Sequence, residues 1–452
     1  MIISKFGGTS VADAAAIMRT TEIVRRRLDR RPVVVVSALA GVTNALLAIA
    51  RQASEGNFIS AVSSVQSLRD RHLVEVDALL SESHEHHEIS AEVSVIFDEL
   101  ASLCEALSVL GFITPRSLDA IAGMGERASS MLIAAAFRAR GIDAVHVDAR
   151  KVMITDSNFG KAEPQADAIA MAARRLVAPL VHEGKVPVMG GYIGSSADGI
   201  TTTLGRGGSD YSASLVGAAL QAGSIEIWTD VDGMLTADPR VVPAARPIEQ
   251  IRFDEASELA SFGAKVLHPA TIAPAVRLGI PVWIYNSHNP SGHGTRITFD
   301  APRRSVTAIA AKRDTTILRV ATGKMLFQHG FLRRVFELFD QYSVSVDVVA
   351  TSEVSVSVTV DDSAPLDVLL GALRQIGDVS IERRRAIVSV VGSGIADDAD
   401  AMGSVLRALG HRRIHMLSLS ASAINLTILL DDSDVPDAMR ALHAALFEGS
   451  AS

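Results

Sequence analysis

The sequence predicts an α/β protein: a three-layer α/β/α sandwich built on a mainly parallel central sheet, followed by two smaller α+β sandwiches. Three observations carry this expectation. Short apolar runs are each followed by a glycine turn and a helical pattern, as in IISKF, GGTS and VADAAAIMRTTEIVRRRLD. Alternating strands and helices imply parallel strands covered on both faces, with ligands gathering at the carboxyl ends of the strands where the glycine turns fall. After Pro302 the order changes to strand, helix, two strands, helix and strand, and then starts again.

Composition narrows the function. At 452 residues and 48% hydrophobic content the chain is long enough for about three globular domains. A formal charge of -8 and only 4% aromatic residues argue against a nucleic-acid surface, which needs cations and stacking groups. Cys104 is the only cysteine, which excludes an intramolecular disulfide and a thiolate zinc site and suits a reducing compartment, the cytoplasm. The start MIISKFGG runs into a strand without the pattern of a secretory signal. The stretch 32–50 is nearly uncharged and close to membrane-spanning length, but Gly41, Thr43 and Asn44 interrupt it. A buried strand, a turn and a helix account for it, and no membrane span is expected.

Taken in order, the strand–turn–helix unit at the start recurs as VVVV with SALAGVTNALLAIA, and again as VPVMGG with YIGSSADG. Residues 52–110 carry helical patterns without strand signals and predict an excursion from the sheet. Within it, SESHEHHEIS holds histidines and glutamates that do not fit the HExxH spacing, and it reads as a solvated loop. GMGERA, from Gly123 to Ala128, imitates a dinucleotide fingerprint, but TPRSLDAIA before it has a helical pattern where the fingerprint needs a strand. In the C-terminal part, TTILRVAT, GFLRRVFELFDQY, VSVDVVATSE, VSVSVTVDD, APLDVLLGALRQIG and DVSIERRR form one βαββαβ unit. AIVSVVG through VPDAMRALHAALF form a second that lacks its last strand. SVTAIAAKR, just before the first unit, is a strand too many and is expected to complete the second.

The stretch TTTLGRGGSDYSAS, Thr201 to Ser214, is the focus of the chemistry. Gly205, Gly207 and Gly208 allow close approach of backbone N–H groups to an anion, and the helix that follows adds the positive end of its dipole. Lys5, at a strand end beside Gly7 and Gly8, is suited to neutralising a phosphoryl group during transfer. Glu126 and Arg206 offer opposite charges, matching the ammonium and carboxylate of an amino acid. WTDVDGMLTADPR, Trp228 to Arg240, ends a strand in polar turn residues suited to a nucleotide, and FGAKVLHP offers Lys265 to phosphates. Each of these alone also reads as an ordinary loop. No Walker A pattern is present, so a nucleotide would bind through another glycine architecture.

The segments KFGGTSVAD, SALAGVTN, GRGGSD, WTDVDG, TADPR, FGAKVLHP and TSEVSVSVTVD occur in one order over essentially the whole chain. In this the chain resembles the aspartokinases of the amino acid kinase family, in their monofunctional, lysine-sensitive branch. The resemblance implies an amino acid kinase catalytic domain over 1–300 and two ferredoxin-like ACT domains, the first at 315–385 inserted into a second made of 304–314 and 386–452. It implies phosphoryl transfer from MgATP to the side-chain carboxylate of L-aspartate, the first step toward lysine, threonine and methionine. Lys5, Gly7, Gly8 and Asp210 would then serve the transferred group, and Ser37, Thr43, Glu126, Arg206 and Ser209 would hold aspartate. Thr229, Asp230, Asp238, Arg240 and Lys265 would hold ATP, and Mg²⁺ would ride on the nucleotide without a dedicated metal site. The ACT units would form a homodimer, with the option of further assembly, and bind L-lysine as inhibitor through Met325, Gln328, Gly330, Phe331, Ser345, Asp347, Thr351, Ser352 and Glu353. One departure stands out: Met234 and Leu235 occupy positions after the WTDVDG turn where the family commonly has an aromatic residue, which bears on ATP affinity. Two other readings are a kinase for another acid, such as glutamate, and a catalytically silent amino-acid sensor. The sensor would be marked by loss of Lys5, Arg206 or Asp210, and all three are present.

Overall fold

The computed structural model describes residues 1–263, 269–322, 329–362 and 366–448. The chain divides into two compact units, one of Met1–Met234 with Val266–Asp300, the other of Leu235–Lys265 with Ala301–Ser452.

In the first unit the all-apolar stretches become central strands. Ile2–Phe6 and Pro32–Val36 are buried at every residue and pair in parallel, as strands covered on both faces must be. The sheet runs Ala144–His146, Val186–Gly190, Pro32–Val36, Ile2–Phe6, Ser224–Thr229, Val282–Asn286, with Thr295–Thr298 antiparallel beyond the last. Lys5 therefore lies on a central strand, opposite Val35 on one side and Ile227 on the other. Helix Ala14–Arg25 begins where Asp13 accepts the N–H of Ala16 at 2.8 Å. Trp228 stacks against Phe6 at 6.0 Å and Tyr285 at 4.8 Å, tying together three adjacent strand ends.

The stretch 32–50 is a strand followed by helix Val42–Ser54, and no helix among the described residues is long and apolar enough to cross a membrane. The excursion consists of helices Phe58–Leu80 and His86–Leu110. The histidine-rich segment departs from a pure loop, because His86 already opens the second of these helices and contacts Asp77 at 2.7 Å. TPRSLDAIA is indeed helical, with Thr114 and Ser117 forming a capping box ahead of Pro115–Ala122. YIGSSADG, expected to follow VPVMGG as a helix, is instead strand Ile193–Ser196 and a turn at Gly199 with φ 76°. With Thr201–Thr203 it forms a hairpin in a small separate sheet that leads directly into the glycine loop, since an Asp-Gly pair after so short a run favours a hairpin turn over a helix.

The second unit contains one continuous antiparallel sheet in the order Val349–Thr351, Ser355–Asp361, Ala308–Ala321, Asp378–Val391, Asn425–Asp431, Met416–Leu419. SVTAIAAKR and TTILRVAT, expected as separate strands, are a single strand, and so are DVSIERRR and AIVSVVG. The ladder shifts register between Lys312 and Thr315, where Asp314 takes φ 55° and Arg384, across from it, φ 53°. The break is a bulge inside two long strands. On either side of it lies a separate core, one around Leu318, Val335 and Leu369, the other around Ile309, Val388 and Leu442. The expected boundaries at 314/315 and 385/386 fall at this bulge.

The contacts divide the chain after Asp300, and they also give an earlier segment to the second unit. Segment 235–265 packs with the C-terminal unit because Ala237 and Val242 are buried in its core. Buried Glu255 also accepts bonds there from Thr307 Oγ1 at 3.1 Å and the N–H of Ser393 at 2.7 Å.

Candidate active site

The catalytic chemistry begins at the carboxyl end of strand Ile2–Phe6. The Nζ of Lys5 lies 2.7 Å from Oδ1 of Asp210, in an ion pair rather than a well-directed hydrogen bond. Asp210 occupies the first turn of helix Gly208–Ala219, at the positive end of the helix dipole. Ser209, one residue earlier, exchanges a hydrogen bond at 3.0 Å with Ser37, which follows the neighbouring strand. The carbonyl of Ser37 is in turn held by the hydroxyl of Ser129 at 2.8 Å. Three strand and helix ends are thereby locked around one opening.

That opening is a cavity of about 660 Å³. It brings together Lys5, Gly8, Ser37, Thr43, Glu126, Arg206, Ser209 and Asp210, residues separated by up to most of the unit's length in sequence. Gly7, expected beside the transferred group, donates its N–H to the carbonyl of Trp228 at 3.0 Å. The wall also contains Asn44, Gly160 and Tyr192, which sequence reasoning did not single out. Tyr192 had a detectable signal in its place after VPVMGG, and it adopts φ 64°, a left-handed conformation uncommon for an aromatic residue and typical of functional sites.

Glycine is required at one point of this wall and at one point behind it. Gly207 has φ 70° and caps the helix that presents Ser209 and Asp210. At Gly191 a Cβ would stand 2.7 Å from the Cβ of Ser209.

Glu126 is almost completely buried, and one carboxylate oxygen has no hydrogen-bond partner. Burial pushes its carboxyl up to about 7, against a smaller opposing effect of the backbone N–H of Ala38. An unpartnered buried carboxylate facing a cavity awaits a cation. Arg206, exposed on the glycine loop, supplies the opposite charge on the same wall.

The residues expected at the nucleotide divide. Thr229 and Asp230 close strand Ser224–Thr229 beside the Lys5 strand, with Thr229 Oγ1 donating to Asp230 Oδ1 at 3.1 Å. Asp238 and Arg240 belong to the second unit and pair with each other at 2.6 Å, the guanidinium holding the Asp238 carboxyl below its ordinary range. Lys265 lies outside the described residues. Met234 is buried, and its N–H donates to Thr295 Oγ1 at 2.8 Å.

Of the residues expected at an effector, Met325 and Gln328 lie outside the described residues. Gly330, with φ 80°, caps helix Phe331–Gln341. The ring of Phe331 is buried in the core of its own α+β unit. Ser345, Asp347, Thr351, Ser352 and Glu353 are exposed. The carboxylate of Asp347 is bound at 2.7 Å by Lys312, which also reaches Asp361 at 2.8 Å, a cation contributed by a different strand.

An α/β/α sheet whose strand ends collect a lysine, a glycine loop and a paired buried anion and exposed cation defines a phosphotransferase for a small zwitterionic acid. The amino acid kinase family model matches residues 1–286 and an ACT domain model matches 388–446. The lysine-sensitive aspartokinase 3 of Escherichia coli is 37% identical, with 99% of each chain covered, and the chloroplastic aspartokinase 2 of Arabidopsis thaliana is 36% identical over 99% of this chain and 84% of its own. Among solved structures, Escherichia coli aspartokinase III in complex with aspartate and ADP matches with a TM-score of 0.85 at 37% identity, covering 99% of this chain and 100% of that one. The same enzyme in complex with lysine and aspartate matches with a TM-score of 0.83 at 38% identity, covering 99% of both. The chain belongs to the amino acid kinase family, in its aspartokinase branch. Its activity is that of an aspartate kinase.

Proposed function

We propose that this enzyme transfers the γ-phosphoryl group of MgATP to the β-carboxylate of L-aspartate, giving 4-phospho-L-aspartate and ADP, and that L-lysine inhibits it through the ACT units. The observation that carries the reading is the single cavity in which an unpartnered buried carboxylate, Glu126, and an exposed guanidinium, Arg206, accompany the Lys5–Asp210 pair. Glu126 receives the ammonium of aspartate and Arg206 a carboxylate, with Ser37, Thr43 and Ser209 supplying neutral hydrogen bonds. A side-chain carboxylate with a pKa of about 3.9 is already ionised at neutral pH, so the nucleophile needs no general base. The work of the chain is alignment and neutralisation: Lys5 follows the charge of the moving phosphoryl group, and Asp210 holds Lys5 in place. Thr229 and Asp230, at the end of the adjacent strand, serve the nucleotide. Mg²⁺ enters with ATP and keeps mostly phosphate and water ligands.

Inhibition by lysine follows the lysine-sensitive relative, and exposed Thr351, Ser352 and Glu353 with Ser345 and Asp347 are its contacts here. An effector ammonium reaching Asp347 has to compete with Lys312. A homodimer through the ACT units is supported by the outer strands Val349–Thr351 and Met416–Leu419, whose free edges expose Val349, Leu417 and Leu419. The cytoplasm is the proposed compartment.

The deciding experiment measures ADP release against a panel of acids, with and without lysine and threonine. Activity with glutamate and none with aspartate rejects the substrate assignment.

A further inference from the structure

Outside the cavity, helix Pro115–Ala122 carries a buried carboxylate that the reaction does not use. Asp119 is 2% exposed. Its Oδ2 accepts the backbone N–H of Gly160 at 2.9 Å and that of Thr203 at 3.0 Å, while Oδ1 accepts the hydroxyl of Thr203 at 2.7 Å. All of these donors are neutral, and they come from two segments distant in sequence. The two segments are joined again where the N–H of Ala162 donates to the carbonyl of Thr203 at 2.9 Å.

Both segments matter to the substrate cavity. Gly160 is part of its wall, and Thr203 ends the strand from which the chain passes through Leu204 into Gly205 and Arg206. On the other side, the helix bearing Asp119 hands over at Gly123 to helix Met124–Arg138, which carries Glu126. Gly123 is packed tightly: a Cβ there would lie 3.0 Å from Ile193 Cγ2 and 3.3 Å from Thr201 Cγ2. The carboxylate of Asp119 thus bridges the element that presents the anionic pole of the site to the element that presents the cationic pole.

We propose that Asp119 is a positioning residue that sets the spacing between Glu126 and Arg206 and thereby the length of acidic amino acid the site accepts. This rests on the reading of the cavity as the aspartate site. Removing the carboxylate takes away at once the acceptor of the Gly160 and Thr203 N–H groups and of the buried Thr203 hydroxyl, and with it the tie that holds the two segments in register, so the loop drifts. A drift of a fraction of an ångström in one pole changes which of two acids, differing by one methylene, has both ends satisfied.

The test compares Asp119→Ala, Asp119→Asn and Thr203→Val with the full-length parent. Asp119→Ala is expected to raise the KM for aspartate about tenfold, with kcat within about threefold of the parent and the KM for ATP unchanged, and to lower the preference for aspartate over glutamate. Asn keeps one acceptor for both backbone N–H groups, and the Thr203 hydroxyl can turn to accept from its amide, so Asp119→Asn is expected to restore most of the discrimination. Thr203→Val removes only the hydroxyl bond and is expected to raise the aspartate KM about threefold; it decides the matter if Asp119→Ala does not fold. An unchanged aspartate KM in Thr203→Val and in folded Asp119→Ala overturns the proposal, as does a parallel rise in the KM values of aspartate and ATP. A parent enzyme that does not phosphorylate aspartate instead removes the reading of the site on which the proposal rests.

Discussion

The ammonium of Lys5 and the carboxylate of Asp210 meet at 2.7 Å, joining the end of the first strand to the first turn of the helix after the glycine loop. In the proposed reaction the pair holds a cation for the transferred phosphoryl group without reorganisation.

Replacing Lys5 by alanine removes that cation and leaves Asp210 to repel phosphate. Turnover is expected to fall by about a thousandfold, with the circular dichroism spectrum and melting transition retained. Near-normal kcat in steady-state ADP release refutes the role given to Lys5.

Glu126 predicts a pH dependence. Its folded-state carboxyl is raised to about 7, so below that pH the empty site holds a neutral acid that cannot receive an ammonium. The expected outcome is a kcat/KM for aspartate that falls as pH drops below about 7, with the limb absent in Glu126→Gln, which binds aspartate poorly at every pH. Stability moves the other way. Because the folded pKa lies above the unfolded one, the ionised carboxylate costs stability that is regained as pH falls from about 7 toward 4.5. Glu126→Gln is therefore expected to stabilise the empty protein at pH 8, by up to about 3 kcal/mol, as read by denaturant unfolding.

Gly191→Ala places a methyl group 2.7 Å from the Cβ of Ser209. The start of helix Gly208–Ala219 has to move, and Ser209 and Asp210 move with it. The KM for aspartate is expected to rise tenfold or more in the folded variant, a loss of about 1.4 kcal/mol or greater. Unaltered kinetics would show that the wall is more compliant than its contacts indicate.

Thr351 is exposed on an outer strand, so an isoleucine there leaves both C-terminal cores intact. Thr351→Ile is expected to relieve inhibition by lysine while uninhibited turnover stays within about twofold of the parent. If lysine inhibits the variant as before, Thr351 has no part in the effector site.

Much of this was legible before any coordinates. The run VVVV had to be a fully covered strand, TPRSLDAIA a capped helix, and the glycine loop an entry to a helix, because each follows from local sterics and apolar periodicity. Lys5, Arg206 and Asp210 were found because glycine and charge lie side by side in the chain. Asp119 was passed over because its partners, Gly160 and Thr203, are far from it in sequence. For the same reason the bond from the Gly7 amide to Trp228 and the capture of Asp347 by Lys312 were invisible. The expected pairs of strands in the C-terminal unit were read correctly in residue type but split at Asp314 and Arg384, where polar residues mark a bulge rather than an end.

By itself, the sequence determined most of the strands and helices, the family, and the residue types that suit phosphoryl and carboxylate groups, since these depend on short-range pattern and charge. Tertiary structure alone decided that Glu126 is buried with an oxygen to spare, that segment 235–265 packs with the C-terminal unit, and that Asp119 links the two poles of the site. The reason is physical: desolvation and hydrogen bonding depend on which distant segments arrive at one place, and no local stretch of chain encodes its neighbours.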